Sequence, residues 1–164
     1  MSNSLSVSIS DRVIIRLKSD SGLSDTNSLS YRAKMTNGTG TGEANQKHVD
    51  SRTLAPSASH TYTLDDNSLS DGLGGTVSMT RLKEIWLENT SDDARASIEI
   101  SFWSGDEYES ISSQGVVQNG GLFHVADPNA GWRIVPSTHD HVVVTNLSSA
   151  VSASYDIGLV GVSA

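Results

Sequence analysis

The chain has 164 residues, enough for one domain with an ordinary hydrophobic core. It contains no cysteine, which excludes disulfides, thiolate metal sites and cysteine nucleophiles. Nineteen acidic residues against eleven basic ones leave a net charge of −8, so phosphate backbones and anionic membranes repel the chain as a whole. Neither nucleic acid nor a membrane is therefore an expected partner.

The first residues, Met1-Ser2-Asn3-Ser4-Leu5, have neither a basic start nor an apolar stretch, so no signal peptide is expected and folding is expected in the cytoplasm where the chain is made. No apolar run approaches the roughly 20 residues of a membrane helix. The dominant pattern is instead apolar/polar alternation, the period-2 signature of half-buried strands. Leu5, Val7 and Ile9 alternate with serines, and Val13, Ile15 and Leu17 alternate with Arg12, Arg16 and Lys18, Ile14 being the exception.

From Ser19 to Ser57 the chain turns rich in Ser, Thr, Gly and Asn, and this stretch reads as a long polar loop region holding one short strand around Leu29 to Met35. Within it, Gly38-Thr39-Gly40-Thr41-Gly42 lacks the Lys-Ser/Thr ending of a phosphate-binding loop and reads as a loop tip. Tyr62 and Leu64 mark a short strand. Asn67 to Leu73 reads as a single helical turn ending at Gly74-Gly75, with two residues of the Asp65, Asp66, Asn67, Asp71 group as its caps. These acids do not have the spacing of an EF-hand calcium loop.

Between Met79 and Asn89 a helical face (Leu82, Ile85, Trp86) competes with alternation. Strand is favoured from Lys83 on, because Asn89-Thr90-Ser91-Asp92 then closes it as a turn. Ala96, Ile98, Ile100 and Phe102 alternate with Ser97, Glu99, Ser101 and Trp103. Asp106, Glu107 and Glu109 around Tyr108 form a solvated acidic turn; paired-carboxylate hydrolysis needs two acids facing each other across a cleft. Val116-Val117, Leu122 to Val125, Trp132 to Val135, His141 to Thr145 and Tyr155 to Val162 complete the strands, separated by Asn119-Gly120-Gly121 and Asp127-Pro128-Asn129.

His139-Asp140-His141 is the most enzyme-like cluster. Metal-binding barrels of the cupin kind need a glutamate a few residues later, and Val142 to Leu147 offers no carboxylate, so a polar turn is the favoured reading over a metal site. There is no Gly-x-Ser-x-Gly nucleophile elbow. No catalytic residue, metal or cofactor is expected. Trp132, between Gly131 and Arg133, is expected to seat its strand in the core. Trp86 and Trp103 fall on the polar phase of their strands beside Glu84, Glu88 and Glu99; these five are the candidate interface residues, with a sugar-stacking platform as the alternative use of the indoles.

The order of segments carries a resemblance. Arg52-Thr53-Leu54-Ala55-Pro56-Ser57-Ala58-Ser59, Tyr62-Thr63-Leu64-Asp65 and Leu69 to Gly75 lead to Leu82-Lys83-Glu84-Ile85-Trp86-Leu87-Glu88-Asn89. Gly120-Gly121-Leu122-Phe123, Asp127-Pro128, Gly131-Trp132, Val142-Val143-Val144-Thr145-Asn146 and Tyr155-Asp156-Ile157-Gly158-Leu159-Val160-Gly161 follow. Residues 50–164 thus resemble the small β-sandwich structural proteins of tailed-bacteriophage virions. Where that family often has Pro-Gly in its turn, this chain has Asn119-Gly120.

The resemblance implies a non-enzymatic virion protein, made in the host cytoplasm, of the capsid decoration (cement) or minor virion kind. Its partners would be itself, as a homo-oligomer, and a major capsid or other virion protein. The expected fold is all-β: one antiparallel, jelly-roll-like β-sandwich over residues 1–164, with one short helical turn and the polar 19–57 excursion, its strand order open. A carbohydrate-binding or receptor-binding β-sandwich module is the alternative function.

Overall fold

The computed structural model describes the backbone of residues 7–18, 24–102 and 114–163, and side chains over 34–102 and 115–163. Its strands are β1 (Val7–Lys18), β2 (Ser24–Asn37), β3 (Glu43–Ala44), β4 (Gln46–Leu54), β5 (Ser59–Thr63), β6 (Leu69–Ser70) and β7 (Thr76–Val77). There follow β8 (Arg81–Asn89), β9 (Ser97–Phe102), β10 (Gln114–Gln118), β11 (Leu122–Ala126), β12 (Trp132–Arg133), β13 (His141–Asn146) and β14 (Ala153–Val162). The described residues contain no helix.

Two antiparallel sheets carry the core. One has the order β11-β8-β14-β4, with β12 added beside β8, and the other has the order β10-β9-β13-β5. Alternation places Ile85, Leu87, Tyr155, Ile157 and Leu159 of the first sheet and Tyr62, Ile98, Ile100, Val142 and Val144 of the second in one buried cluster. Each such side chain contributes about 1.5–3 kcal/mol when fully buried, so this shared cluster dominates the stability of the two sheets. Every tight pair of successive long strands (β4 to β5, β8 to β9, β10 to β11, β13 to β14) crosses from one sheet to the other, and all four crossings lie at the same end.

Two asparagines tie that end together. Asn146 closes β13, is buried, and donates from Nδ2 to the carbonyls of Leu54 (3.4 Å), Ala55 (3.1 Å) and Val151 (2.9 Å). Its Oδ1 accepts the Ser148 N–H at 3.0 Å. Asn89 does the same for β8: Nδ2 donates to Ala96 O and Val117 O, and Oδ1 accepts from Ser91. A short amide suits both places because it satisfies carbonyls that a crossing chain leaves without ladder partners.

Three expectations need correction. The stretch 19–57 is not a long loop: β2, β3 and β4 occupy most of it. Ser and Thr suppress the hydrophobic signal there, yet they are acceptable strand residues wherever a face is polar. The expected helical turn at Asn67 to Leu73 is absent. Leu69–Ser70 instead pairs with Thr76–Val77 as a two-stranded ribbon, and the nearby acids cap bends. Asp71 Oδ1 accepts the Leu73 and Gly75 N–H groups, and Asp66 Oδ1 accepts that of Ser68. Asn67 itself sits at φ 62°, a left-handed conformation asparagine tolerates but a helix interior does not use. Strand β8 begins at Arg81, two residues before the expected start.

β1 and β2 form a twelve-rung antiparallel hairpin running from Val7↔Met35 to Lys18↔Ser24. The last two residues of β2 also pair in parallel with β3. At this root Met35 and Ala44 are buried with Val160, and Ala126 packs against them, on the outward face of the five-stranded sheet.

Candidate functional site

The outward face of the five-stranded sheet follows from its register. Across the strands, His124, Trp86, Gly158 and Val49 form one row, and Leu122, Glu88, Asp156 and Ser51 form the next. Val49 on the edge strand β4 and Leu122 on the edge strand β11 are 61% and 62% exposed. Trp86 is half-buried because its indole leans across β14: a Cβ at Gly158 would overlap the ring at Nε1 and Cε2. Gly158 is the residue that lets the ring lie there. The aromatic in turn covers a strand position with no side chain of its own.

Glu84 lies one row further along and is buried, not exposed as its polar neighbours in sequence imply. His124 Nε2 meets Glu84 Oε1 at 3.1 Å, and the packing of Val160 and Ala126 under Met35 closes over this row. Of the five candidate interface residues, Trp86 and Glu88 therefore share the outward face, whereas Glu84 lies beneath the hairpin root. Glu99 is half-buried on β9, in the other sheet, paired across to Val116 and Thr145. Trp103, Asp106, Glu107, Tyr108 and Glu109 lie outside the described residues. The pairing of Trp86 with Gly158 was not anticipated from sequence; the signal was the lone glycine inside the apolar β14 run.

A second polar cluster bridges the two sheets at the β4/β5 margin. Tyr62 and Tyr155, one from each sheet and both buried, bring their hydroxyls to 2.9 Å. Tyr62 donates to Asp50 Oδ2 at 3.1 Å, and since a phenol has one proton, Tyr155 donates to Tyr62. Burial pushes both phenols above the ordinary range, Tyr62 further because of its hydrogen bonds and the nearby Asp50 charge. Burial also raises the Asp50 carboxyl, but hydrogen bonds from Arg52 and Tyr62 more than reverse this and leave it below the usual value. His48 donates from Nδ1 to Ser70 O at 2.8 Å, and its Nε2 is buried with no hydrogen-bond partner among the described residues. Burial and the Arg52 charge hold the His60 imidazole below its ordinary value. The two buried phenols, hydrogen-bonded to each other and through Tyr62 to Asp50, link the two sheets at this margin.

The remaining sequence candidates resolve as turns. Asp140 is buried; its Oδ2 accepts the Ser137 N–H at 2.6 Å and its Oδ1 meets His141 Nδ1 at 2.5 Å. His139 pairs with Val135 in an isolated bridge before β13 begins, and its ring meets Thr138 Oγ1. Among the described residues no three of His, Asp and Glu gather as a metal site. In the glycine loop, the Glu43 carboxylate folds back to accept the Gly40 N–H at 2.7 Å, so an anion of the chain's own occupies that loop. Lys83 is buried, donating to Asn129 O at 2.6 Å and pinning the Asp127 to Gly131 turn; burial lowers its pKa. Trp132 is half-buried and packs against the core, in line with its expected role.

No protein-family model matches the chain, and no curated protein matches it.

Proposed function

We propose that this chain is a non-enzymatic structural protein of a tailed-phage virion, a capsid decoration or minor virion protein acting through self-association and contact with capsid subunits, on a jelly-roll-like β-sandwich. The strand orders β11-β8-β14-β4 and β10-β9-β13-β5, with each tight pair crossing between sheets, support the jelly roll over an immunoglobulin-like arrangement. Jelly rolls serve capsids, lectins and metal-dependent cupins alike, so the fold by itself does not choose among them.

The observation that carries the assembly reading is the outward face of the five-stranded sheet. Trp86, Gly158 and the exposed Val49 follow one another across the sheet, and the exposed Leu122 lies at the β11 edge of the adjoining row, beside Glu88 and Asp156. A tryptophan with exposed aliphatic residues around it is the kind of residue set that interfaces use as anchors. The self-contained Asp140 turn and the buried tyrosine pair support a structural role over a catalytic one.

The test is quantitative mass spectrometry of purified particles together with a Trp86→Ser variant. A copy number in simple ratio to the major capsid protein, lost in the variant while the soluble protein stays folded, is the expected result. Absence from particles overturns the virion reading. The same indole supports a second reading, a sugar-stacking platform. Glycan binding that Trp86→Ser removes, by a protein absent from particles, would put that reading first.

A further inference from the structure

The β1–β2 register sorts the hairpin residues onto two unlike faces. Val7, Ile9, Val13, Ile15 and Leu17 share a mainly apolar face with Leu29, Tyr31, Ala33 and Met35, a face that Asp11, Asp25 and Asn27 also interrupt. Arg12, Arg16 and Lys18 share the opposite face with Arg32, Lys34, a row of Ser and Thr, and the single apolar Ile14. The root fixes the phase: Met35 is fully buried against the sheet, while Lys34 beside it is exposed.

The charge of the chain divides in the same way. Residues 1–37 hold five of the eleven basic residues, all on that one face, and three of the nineteen acidic ones. The other 127 residues therefore hold six basic and sixteen acidic residues, an excess of ten negative charges. Twelve rungs at about 3.4 Å each make a ribbon about 40 Å long, longer than the nine-residue strand β8 on whose sheet it is rooted. A two-stranded ribbon does not hold its own shape in water without a surface to cover its apolar face.

We propose that the β1–β2 hairpin is an intersubunit arm whose apolar face lies on the outward sheet face of a second copy of this chain, over Val49, Trp86 and Leu122. This rests on the self-association part of the proposed function and names its device. A second copy supplies both things the ribbon needs. It offers exposed apolar residues to cover the apolar face, and an acidic body to attract the five cations. Packed about 10 Å above the sheet, the ribbon brings its net excess of two positive charges (five basic residues against three acidic) alongside the acidic body of the receiving subunit. They offset the repulsion between bodies that each carry a large negative excess.

The absence of native cysteine makes the test clean. Full-length Ile15→Cys and full-length Val49→Cys are mixed and oxidised, and the mixture is compared with each variant alone and with the Ile15→Cys/Val49→Cys double variant at high dilution. The expected result is a disulfide-linked dimer enriched in the mixture, and its loss on adding Arg12→Glu, Arg16→Glu and Arg32→Glu to the Ile15→Cys chain. A monomeric intramolecular link in the dilute double variant overturns the proposal in favour of an arm folded on its own sheet. No cross-link in the mixture, with or without binding to anionic vesicles or duplex DNA, also overturns it. If the cross-link fails while the chain is still counted on particles, the arm is lost and the virion reading stands. A cross-link in a chain absent from particles keeps the arm and sinks the virion reading.

Discussion

Strands β13 and β1 are written in the same grammar and differ in what receives them. In β13, Val142 and Val144 alternate with half-buried neighbours and disappear into a cluster fed by both sheets. In β1, Val13, Ile15 and Leu17 alternate with Arg12, Arg16 and Lys18, with Ile14 and Asp11 out of phase, but among the described residues the ladder of β1 runs to β2 alone. Alternation specifies that a segment is extended and two-faced; it does not specify what covers the apolar face. In the body that cover is internal and the interactions are mutually supporting. In the hairpin it is proposed to come from another molecule.

Substitutions can break this contrast. The largest loss is expected in the shared core: Ile157→Ala removes a fully buried side chain between the sheets and should cost about 4 kcal/mol, read from denaturant unfolding of the dilute monomer. Asn146→Ala should cost about 3 kcal/mol, because carbonyls of two crossings lose their donor where little water replaces it. A loss below about 1 kcal/mol would mean that the crossings hold themselves. Gly158→Val should cost about 2 kcal/mol by driving the indole off β14, with a red-shifted tryptophan emission as the second readout. Adding Trp86→Ala should recover part of that loss, since the overlap is then gone.

The pH dependence is a smaller effect with a definite sign. The folded state holds His60 below 6.5, so its contribution is present above that pH and is lost as pH falls from about 6.5 toward the folded value. Asp50 and Asp140 are held below 3.8, so theirs is present above about pH 4 and is lost on further acidification. Thermal midpoints should decline in these two stages, and His60→Gln should remove the first alone. The smallest expected change is in the hairpin. Val13→Ser should shift the unfolding of the dilute monomer by no more than about 0.5 kcal/mol, against several for a comparable change in β13. A loss like that of Ile157→Ala would place β1 within the body's cooperative unit and erase the contrast.

Much of the fold was legible because its strands show alternation or β-branched, apolar composition and are bounded by Gly, Asn and Asp turns. Alternation marks Ala96 to Phe102, and β-branched, apolar composition marks His141 to Thr145 and Tyr155 to Val162, each within a residue or two of the observed strand. Strand β2 is legible only around Leu29 to Met35, because Asp25, Asn27 and Asn37 take the remaining positions of its apolar phase and its other face is wholly Ser, Thr, Arg and Lys. Glu84 was misjudged because burial on an outward face requires a second layer, here Met35 and Ala44, that no local pattern announces.

The sequence by itself determined that this chain is built of strands, where most of them begin and end, and how unevenly its charge is divided. Those are local or additive properties, set by side-chain period, turn chemistry and simple counting. Only the tertiary structure decided the order of strands in the two sheets, the seating of Trp86 on Gly158, the pairing of Tyr62 with Tyr155, and the burial of Glu84. Each of these depends on residues far apart in the chain meeting face to face, and period alone carries no record of which faces meet.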